Sequence, residues 1–227
     1  MHPGQREGLL GRAVDAMVRR SVRKSFHHVD WIPPGPLPDG PAIFVANHHG
    51  WHDGYLMYLA ITALDRRVLD WIQAYDSFPL FGRIGGMPFP AHDAAVRAAT
   101  IRRTVRLMRD EGRSLMLFAE GVLHRPPELL PFGKSLELVA GKTGATVVPV
   151  GIRYELSTHE RPEAILSFGP PVEAGPDLSP RTRLAVAAEL DRAAALLARS
   201  DAPLPRLLSG TPDVNERWDA VRAKARP

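Results

Sequence analysis

Apolar positions recur at helical spacing over residues 8–29. Leu9, Leu10, Val14, Met17, Val18, Val22 and Phe26 share one face, and Arg12, Arg19, Arg20, Arg23 and Lys24 populate the remainder. This predicts an amphipathic helix with a basic side. The connector "WIPPGPLPDGP" (31–41) follows. Short, mostly uninterrupted apolar runs then alternate with helical patterns. "AIFVAN" (42–47), "RVLDWIQA" (67–74), "SLMLFAE" (114–120), "ATVVPVGIRY" (145–154) and "EAILSFGPPV" (163–172) read as strands. Helices are predicted over 52–64, 93–112, 133–144 and 179–200. Asp93 is the expected N-cap of the second, glycines end the second and third, and Ser179 with Pro180 opens the fourth. Residues 78–90 read as a loop around short elements, and "NERWDAVRAKA" (215–225) as a last short helix.

Alternating strands and helices with continuous apolar strands predict a single α/β domain. Its mixed central sheet is largely buried and flanked by helices. The expected division is a basic amphipathic helix over 1–30, a domain over 31–200 and a C-terminal extension over 201–227. Ligands of such folds gather where strands end and helices begin. "NHHGWHD" follows strand 42–47 and "AEG" follows strand 114–119, so both are placed at that edge, with the first at a strand-to-helix turn.

Composition narrows the chemistry. The chain has 227 residues, enough for one well-filled core, and no cysteine. That excludes disulfides, a thiol nucleophile and cysteine-rich zinc sites. The formal net charge of +4, carried mainly by arginine, suits an anionic surface or substrate but has no nucleic-acid recognition motif beside it. The apolar stretches are far shorter than the ~20 residues that span a bilayer, and "MHPGQREGLL" lacks the apolar core of a signal peptide. The expected location is cytoplasmic, peripheral on the inner face of a membrane, with the basic helix against the lipid.

Three of the nine histidines fall within residues 48–52. His48 and His52 have the H-x-x-x-H spacing of zinc proteases, but His49 stands where their glutamate belongs. A metal-dependent hydrolase using His48, His52 and Asp53 is the weaker reading. The stronger one is acid–base chemistry. A sharp turn after the strand brings the Asp53 carboxylate back to one nitrogen of His48, leaving the other free to take a proton from a substrate. There is no G-x-S-x-G elbow, so direct attack by a substrate hydroxyl is the simpler route.

"NHHGWHD" resembles the N-H-x-S-x-x-D block of the glycerolipid acyltransferases, which include the lysophosphatidate acyltransferases. Further blocks follow in order. "GGMPFPAH" (85–92) is similar to the second, with Gly86 and Phe89 matching and His92 at an arginine position. "LFAEGVLHR" (117–125) is similar to the third, F-P-E-G-T-R-S, with Phe118, Glu120 and Gly121 matching and Val122-Leu123 in place of Thr-Arg. "PFGKSLELVAGKTGATVVPVGI" (131–152) follows the fourth, with Phe132, Lys134, Pro149 and Val150 in register.

The resemblance implies an O-acyltransferase with His48 and Asp53 catalytic and no metal or bound cofactor. Acyl-CoA or an acyl carrier protein thioester is the co-substrate. It implies substrate contacts at Gly86, Phe89, His92, Glu120 and Gly121. The lost arginines leave two expectations: Arg125 or Lys134 takes over the acceptor's phosphate, or the acceptor has none. A lipid-binding relative without turnover is the remaining alternative.

Overall fold

The protein, seen here in a computed structural model, is described over residues 8–156, 158–198 and 203–224. Helix α1 spans Gly8–Ser25 and β1 His28–Ile32. The chain continues through β2 (Ala42–Ala46), α2 (Asp53–Ala63) and β3 (Val68–Ile72). Two 3-10 segments, Tyr75–Ser77 and Pro79–Ile84, lead to β4 (Gly86–Pro88) and α3 (Ala94–Glu111). Then come β5 (Ser114–Leu117), α4 (Ser135–Thr143), β6 (Thr146–Glu155), β7 (Glu163–Phe168), α5 (Leu178–Leu197), β8 (Arg206–Ser209) and α6 (Val214–Lys224). The ends of two predicted helices, 199–200 and 225, lie outside the described residues.

The eight strands of the described residues form one mixed sheet in the order β4-β3-β5-β2-β6-β7-β1-β8. The first five are mutually parallel; β7 is antiparallel to β6, β1 parallel to β7, and β8 antiparallel to β1. The centre is buried on both faces. Strand β2 sends Ala42, Phe44 and Ala46 into one core with the apolar faces of α1 and α2. Ile43 and Val45 go to the other, with Met108 of α3 and Leu136 and Val139 of α4. This is the two-sided burial that the continuous apolar runs require.

Caps follow the sequence on α3. The Asp93 carboxylate accepts from the Val96 amide at 2.9 Å, and Gly112 ends the helix. Helix α4 ends at Gly144 as predicted. Helix α5 differs. It starts at Leu178, with Asp177 at the N-cap position, so Ser179 lies inside the first turn. Its amide donates to Glu137 and its hydroxyl to the Gly133 carbonyl.

Two strands were not expected. Residues 28–29 continue the helical period of α1, yet the chain leaves the helix after Ser25 and pairs as β1 with β7, His28 opposite Glu163. Arg206–Ser209, inside a polar, proline-rich tail, pairs with β1 as the edge strand. The leading helix and the C-terminal segment are therefore both packed into the sheet unit. Val14, Val18 and Val22 are core residues, and Tyr58 of α2 donates to Asp15 at 3.1 Å.

Candidate active site

The turn between β2 and α2 is anchored to the sheet by Asn47. Its Oδ1 accepts from the Ile152 amide at 2.8 Å, and its side-chain amide donates to the Ile152 carbonyl at 3.0 Å. His48 follows, and the chain turns so that the Asp53 amide donates to the Gly50 carbonyl at 3.1 Å. Asp53 is thus the first residue of α2, fully buried, and its carboxylate faces back into the turn.

Three donors converge on that carboxylate. His48 Nδ1 is 3.0 Å from Oδ2, the Gly50 amide donates to Oδ2 at 2.8 Å, and the Tyr154 hydroxyl donates to Oδ1. They offset the cost of burying a charge. Because a carboxylate only accepts, the proton sits on Nδ1 of His48 and Nε2 carries a free lone pair. The ring stacks on Phe118, with centroids 4.2 Å apart at 21°. Burial, followed by the Asp53 charge, raises the Tyr154 phenol far above 10, so it stays a donor. The absence of a side chain at Gly50 is required by Tyr154, because a Cβ there would lie 2.4 Å from the ring.

His48 opens on a cavity of about 630 Å³ lined largely by apolar side chains, among them Tyr58, Ile72, Phe81 and Met116. Phe89 also lines it, stacked on Trp71 with centroids 4.4 Å apart at 8°. Gly86 lies on the wall, and a Cβ there would collide with Ile72 and Phe81. Trp51, Val122 and Leu123 line the cavity and are also solvent-exposed, which gives it an apolar lip. Trp51, whose residue type favours the core, is 67% exposed.

Glu120 lines the cavity, and both its oxygens already accept main-chain hydrogen bonds. Oε1 accepts from the His48 amide at 2.8 Å, while Oε2 accepts from the Leu130 amide at 2.7 Å and meets His124 Nε2 at 2.5 Å. The His124 amide in turn donates to the His48 carbonyl at 3.1 Å. Glu120 and His124 therefore hold the main chain of the base, and Gly121 makes the turn beside them at φ +75°. His92, Arg125 and Lys134 are exposed and do not line the cavity. Neither Arg125 nor Lys134, expected to stand in for the missing arginines, lines the cavity. Lys134 instead sits at the N-cap position of α4.

The metal-hydrolase constellation does not form. Among the described residues, His48, His52 and Asp53 are not a group of converging ligand atoms. His52 packs edge-on to Phe26 at 5.1 Å, its Nε2 is buried without a partner, and burial lowers its pKa.

Two cavity residues carried no sequence signal. Gln73 donates to the Gly121 carbonyl at 2.6 Å. Asp70 lines the cavity from β3, its carboxyl hydrogen-bonded by the Trp71 amide. Desolvation pushes its pKa up to about 7, against the charge on His48 and the Trp71 amide, which pull it down.

The fold is similar to that of the 1-acyl-sn-glycerophosphate acyltransferase PlsC of Thermotoga maritima. The TM-score is 0.61 at 19% identity, over 84% of this chain and 81% of that one. Two chloroplastic 1-acyl-sn-glycerol-3-phosphate acyltransferases are similar in sequence. BAT2 of Brassica napus is 26% identical over 124 residues and LPAT1 of Arabidopsis thaliana 29% over 121. Each alignment takes in 51% of this chain but spans only 33% and 32% of the plant proteins. The family model described as Acyltransferase matches residues 25–153, which contain His48 and Asp53 and stop one residue short of Tyr154, and the chain belongs to that family.

Proposed function

We propose that the chain moves an acyl group from a thioester, acyl-CoA or acyl carrier protein, to the hydroxyl of a lipid alcohol. His48 Nε2 takes the hydroxyl proton as the oxygen attacks the thioester carbonyl. Asp53 stabilises the imidazolium, which returns the proton to the departing thiolate. The observation that carries this reading is the His48 ring, bonded through Nδ1 to a buried carboxylate and lining an apolar cavity large enough for acyl chain.

The acceptor brings no phosphate into that cavity. Among the described lining residues the only cation is Arg97, whose Nη1 donates to the carbonyls of Pro90 and Ala91 while Nε and Nη2 keep their donors. Asp70 adds a carboxyl, and Leu123 stands at the lip where the family block has arginine. A phosphate there would have a single guanidinium, already bonded through Nη1, to offset its desolvation, and the Asp70 carboxyl against it. A neutral or amine-bearing lipid alcohol fits.

The same reading places the chain on the inner, anionic face of a membrane. No helix among the described residues is long and apolar enough to cross a bilayer. The apolar lip and the exposed cations of α1 suit a peripheral contact.

The test is transfer of a labelled acyl group by the purified chain to lysophosphatidate, a monoacylglycerol and a lyso-aminolipid. Expected is transfer to the latter two, cut about 10²–10⁴-fold in His48→Ala and Asp53→Asn. Lysophosphatidate as the best acceptor would overturn the acceptor class. No His48-dependent transfer to any of the three would overturn the enzyme and favour a lipid-binding role.

A further inference from the structure

We propose that Asp70 sets the acceptor specificity of the acyl-transfer site by holding the protonated amine of an amine-bearing lipid alcohol. The inference rests on the acyl-transfer reading and narrows its acceptor. Strand β3 alternates across the sheet. Leu69 and Trp71 go to the face that α3 covers, where the Trp71 indole donates to Thr104 at 2.8 Å. Val68, Asp70 and Ile72 take the opposite face, under α1 and α2, and all three line the cavity on which His48 opens.

Each buried carboxylate among the described residues has partners built into the fold. Asp15 pairs with Arg19, Asp30 with Arg206, and Glu189 takes the Ser167 hydroxyl. Asp53 and Glu120 are held by the donors of the β2–α2 turn and its neighbours. Asp70 differs. Its carboxyl receives the Trp71 amide and lies in the field of His48, and no arginine or lysine acts on it. The side chain is half-buried, and the space it reaches is the cavity. Its neighbours across the sheet, Met116 on β5 and Gly86 on β4, line the same cavity and bring no charge. An apolar side chain at position 70 would complete these walls without desolvating an acid. A carboxyl kept in a cleft against that cost marks a binding group, and its missing cation must come from the guest.

Charge selects the guest. An anionic head group is repelled. A hydroxyl needs only an acceptor oxygen, which an amide side chain also offers. A primary ammonium brings the missing charge and three donors. With the cavity empty, desolvation leaves the carboxyl titrating at about 7, so an entering ammonium readily displaces its proton. The resulting pair is neutral and adds no net charge beside the imidazolium that forms on His48. A protonated amine also has no lone pair, so the acyl group goes to the hydroxyl.

The experiment uses the full-length chain, Asp70→Asn and two acceptors of one shape. These are hexadecyl glyceryl ether and the same ether with a primary amine in place of its terminal hydroxyl. Each is measured in neutral detergent near neutral pH, as acceptor in ester formation from a labelled acyl thioester and, without thioester, as ligand by calorimetry. Expected in the wild type is a preference for the amine of about ten- to hundredfold in kcat/KM and in Kd, the range that a hydrogen bond to a charged group supplies. In Asp70→Asn the preference disappears. Because each preference is a ratio within one preparation, loss of folded protein does not move it. Equal use of both ethers by the wild type, or a preference that survives in Asp70→Asn, overturns the proposal and leaves acyl transfer standing. Amine-selective binding that is lost in Asp70→Asn, without His48-dependent transfer, overturns acyl transfer and keeps Asp70 as the partner of the ammonium. Absence of binding by either ether overturns both.

Discussion

Tyr154 and His48 grip opposite oxygens of one carboxylate: the phenol donates to Oδ1 of Asp53 and the imidazole to Oδ2. The aspartate is therefore oriented from both sides, and the imidazole plane is set by a residue over a hundred positions away. Tyr154→Phe keeps the ring and its stacking on Phe26 but removes one donor to a charged group. A hydrogen bond of that kind contributes about 1.5–3 kcal/mol, so kcat should fall tenfold or more. KM should hold, because Tyr154 does not line the cavity. Steady-state kinetics on an acyl thioester measure both; an unchanged kcat would show that Tyr154 supports the fold and not the base.

Gly50 and Tyr154 are matched in shape. An alanine methyl at position 50 would fall 2.4 Å from Cε2 of the ring and 2.6 Å from its hydroxyl. The ring must move, and its bond to Asp53 goes with it. Overpacking of this size costs about 1–3 kcal/mol, or roughly 2–10 °C of thermal midpoint here. Gly50→Ala should thus lose both stability and kcat. Combined with Tyr154→Ala it should lose less stability than the two single changes summed. Additive losses in the melting curves would mean that the two residues do not meet.

How far the site was legible depends on how locally it is built. His48 and Asp53 lie five positions apart on one strand-to-helix turn, so their pairing follows from the chain's own geometry. The Asp93 cap and the glycine ends of α3 and α4 are local in the same way. Tyr154, Asp70 and His124 reach the site only through the sheet order, which sets β6 and β5 on either side of β2 and β3 beyond β5. Nothing near these residues in the sequence records that. Strand β1 was hidden because Val22, Phe26 and Val29 keep helical spacing across the break. Strand β8 was hidden because four residues in a proline-rich tail become a strand only against β1. Arg125 was a candidate by charge and Lys134 by charge and its register with the fourth block, and neither says which way an exposed side chain points.

Asp70 gives the stability a pH dependence of definite sign. In the unfolded chain its carboxyl ionises near 3.8, and in the folded one burial pushes this up to about 7. Between those values the folded chain binds the extra proton, so this group makes stability fall as pH rises, and above 7 the full cost is present. The shift corresponds to at most about 4 kcal/mol. Asp70→Asn cannot ionise. Its stability relative to wild type should rise between pH 4 and 7 and level off above. Thermal melts of both chains at pH 5 and pH 8 measure this, and a pH-independent difference would place the Asp70 carboxyl in water.

Helix α1 has two separable faces. Removing it to test membrane binding would also remove Val14, Val18 and Val22 from the core, Val18 from the cavity wall, and Asp15 from Tyr58. Loss of binding would then follow from loss of the fold. Arg12, Arg20 and Lys24 are exposed, and their charges can be removed without touching that packing. Each cation near an anionic surface contributes about 1 kcal/mol, so neutralising all three as glutamines should weaken binding to phosphatidylserine-containing vesicles about a hundredfold. Binding to zwitterionic vesicles should barely change, and so should turnover on detergent-dispersed substrate. Added salt should reduce wild-type binding towards that of the variant, because the lost contribution is a screened surface interaction. Sedimentation with the two vesicle types provides the measurement. Equal sedimentation of variant and wild type with anionic vesicles would leave the basic face of α1 a solvated surface and shift the membrane contact to the apolar lip of Trp51, Val122 and Leu123.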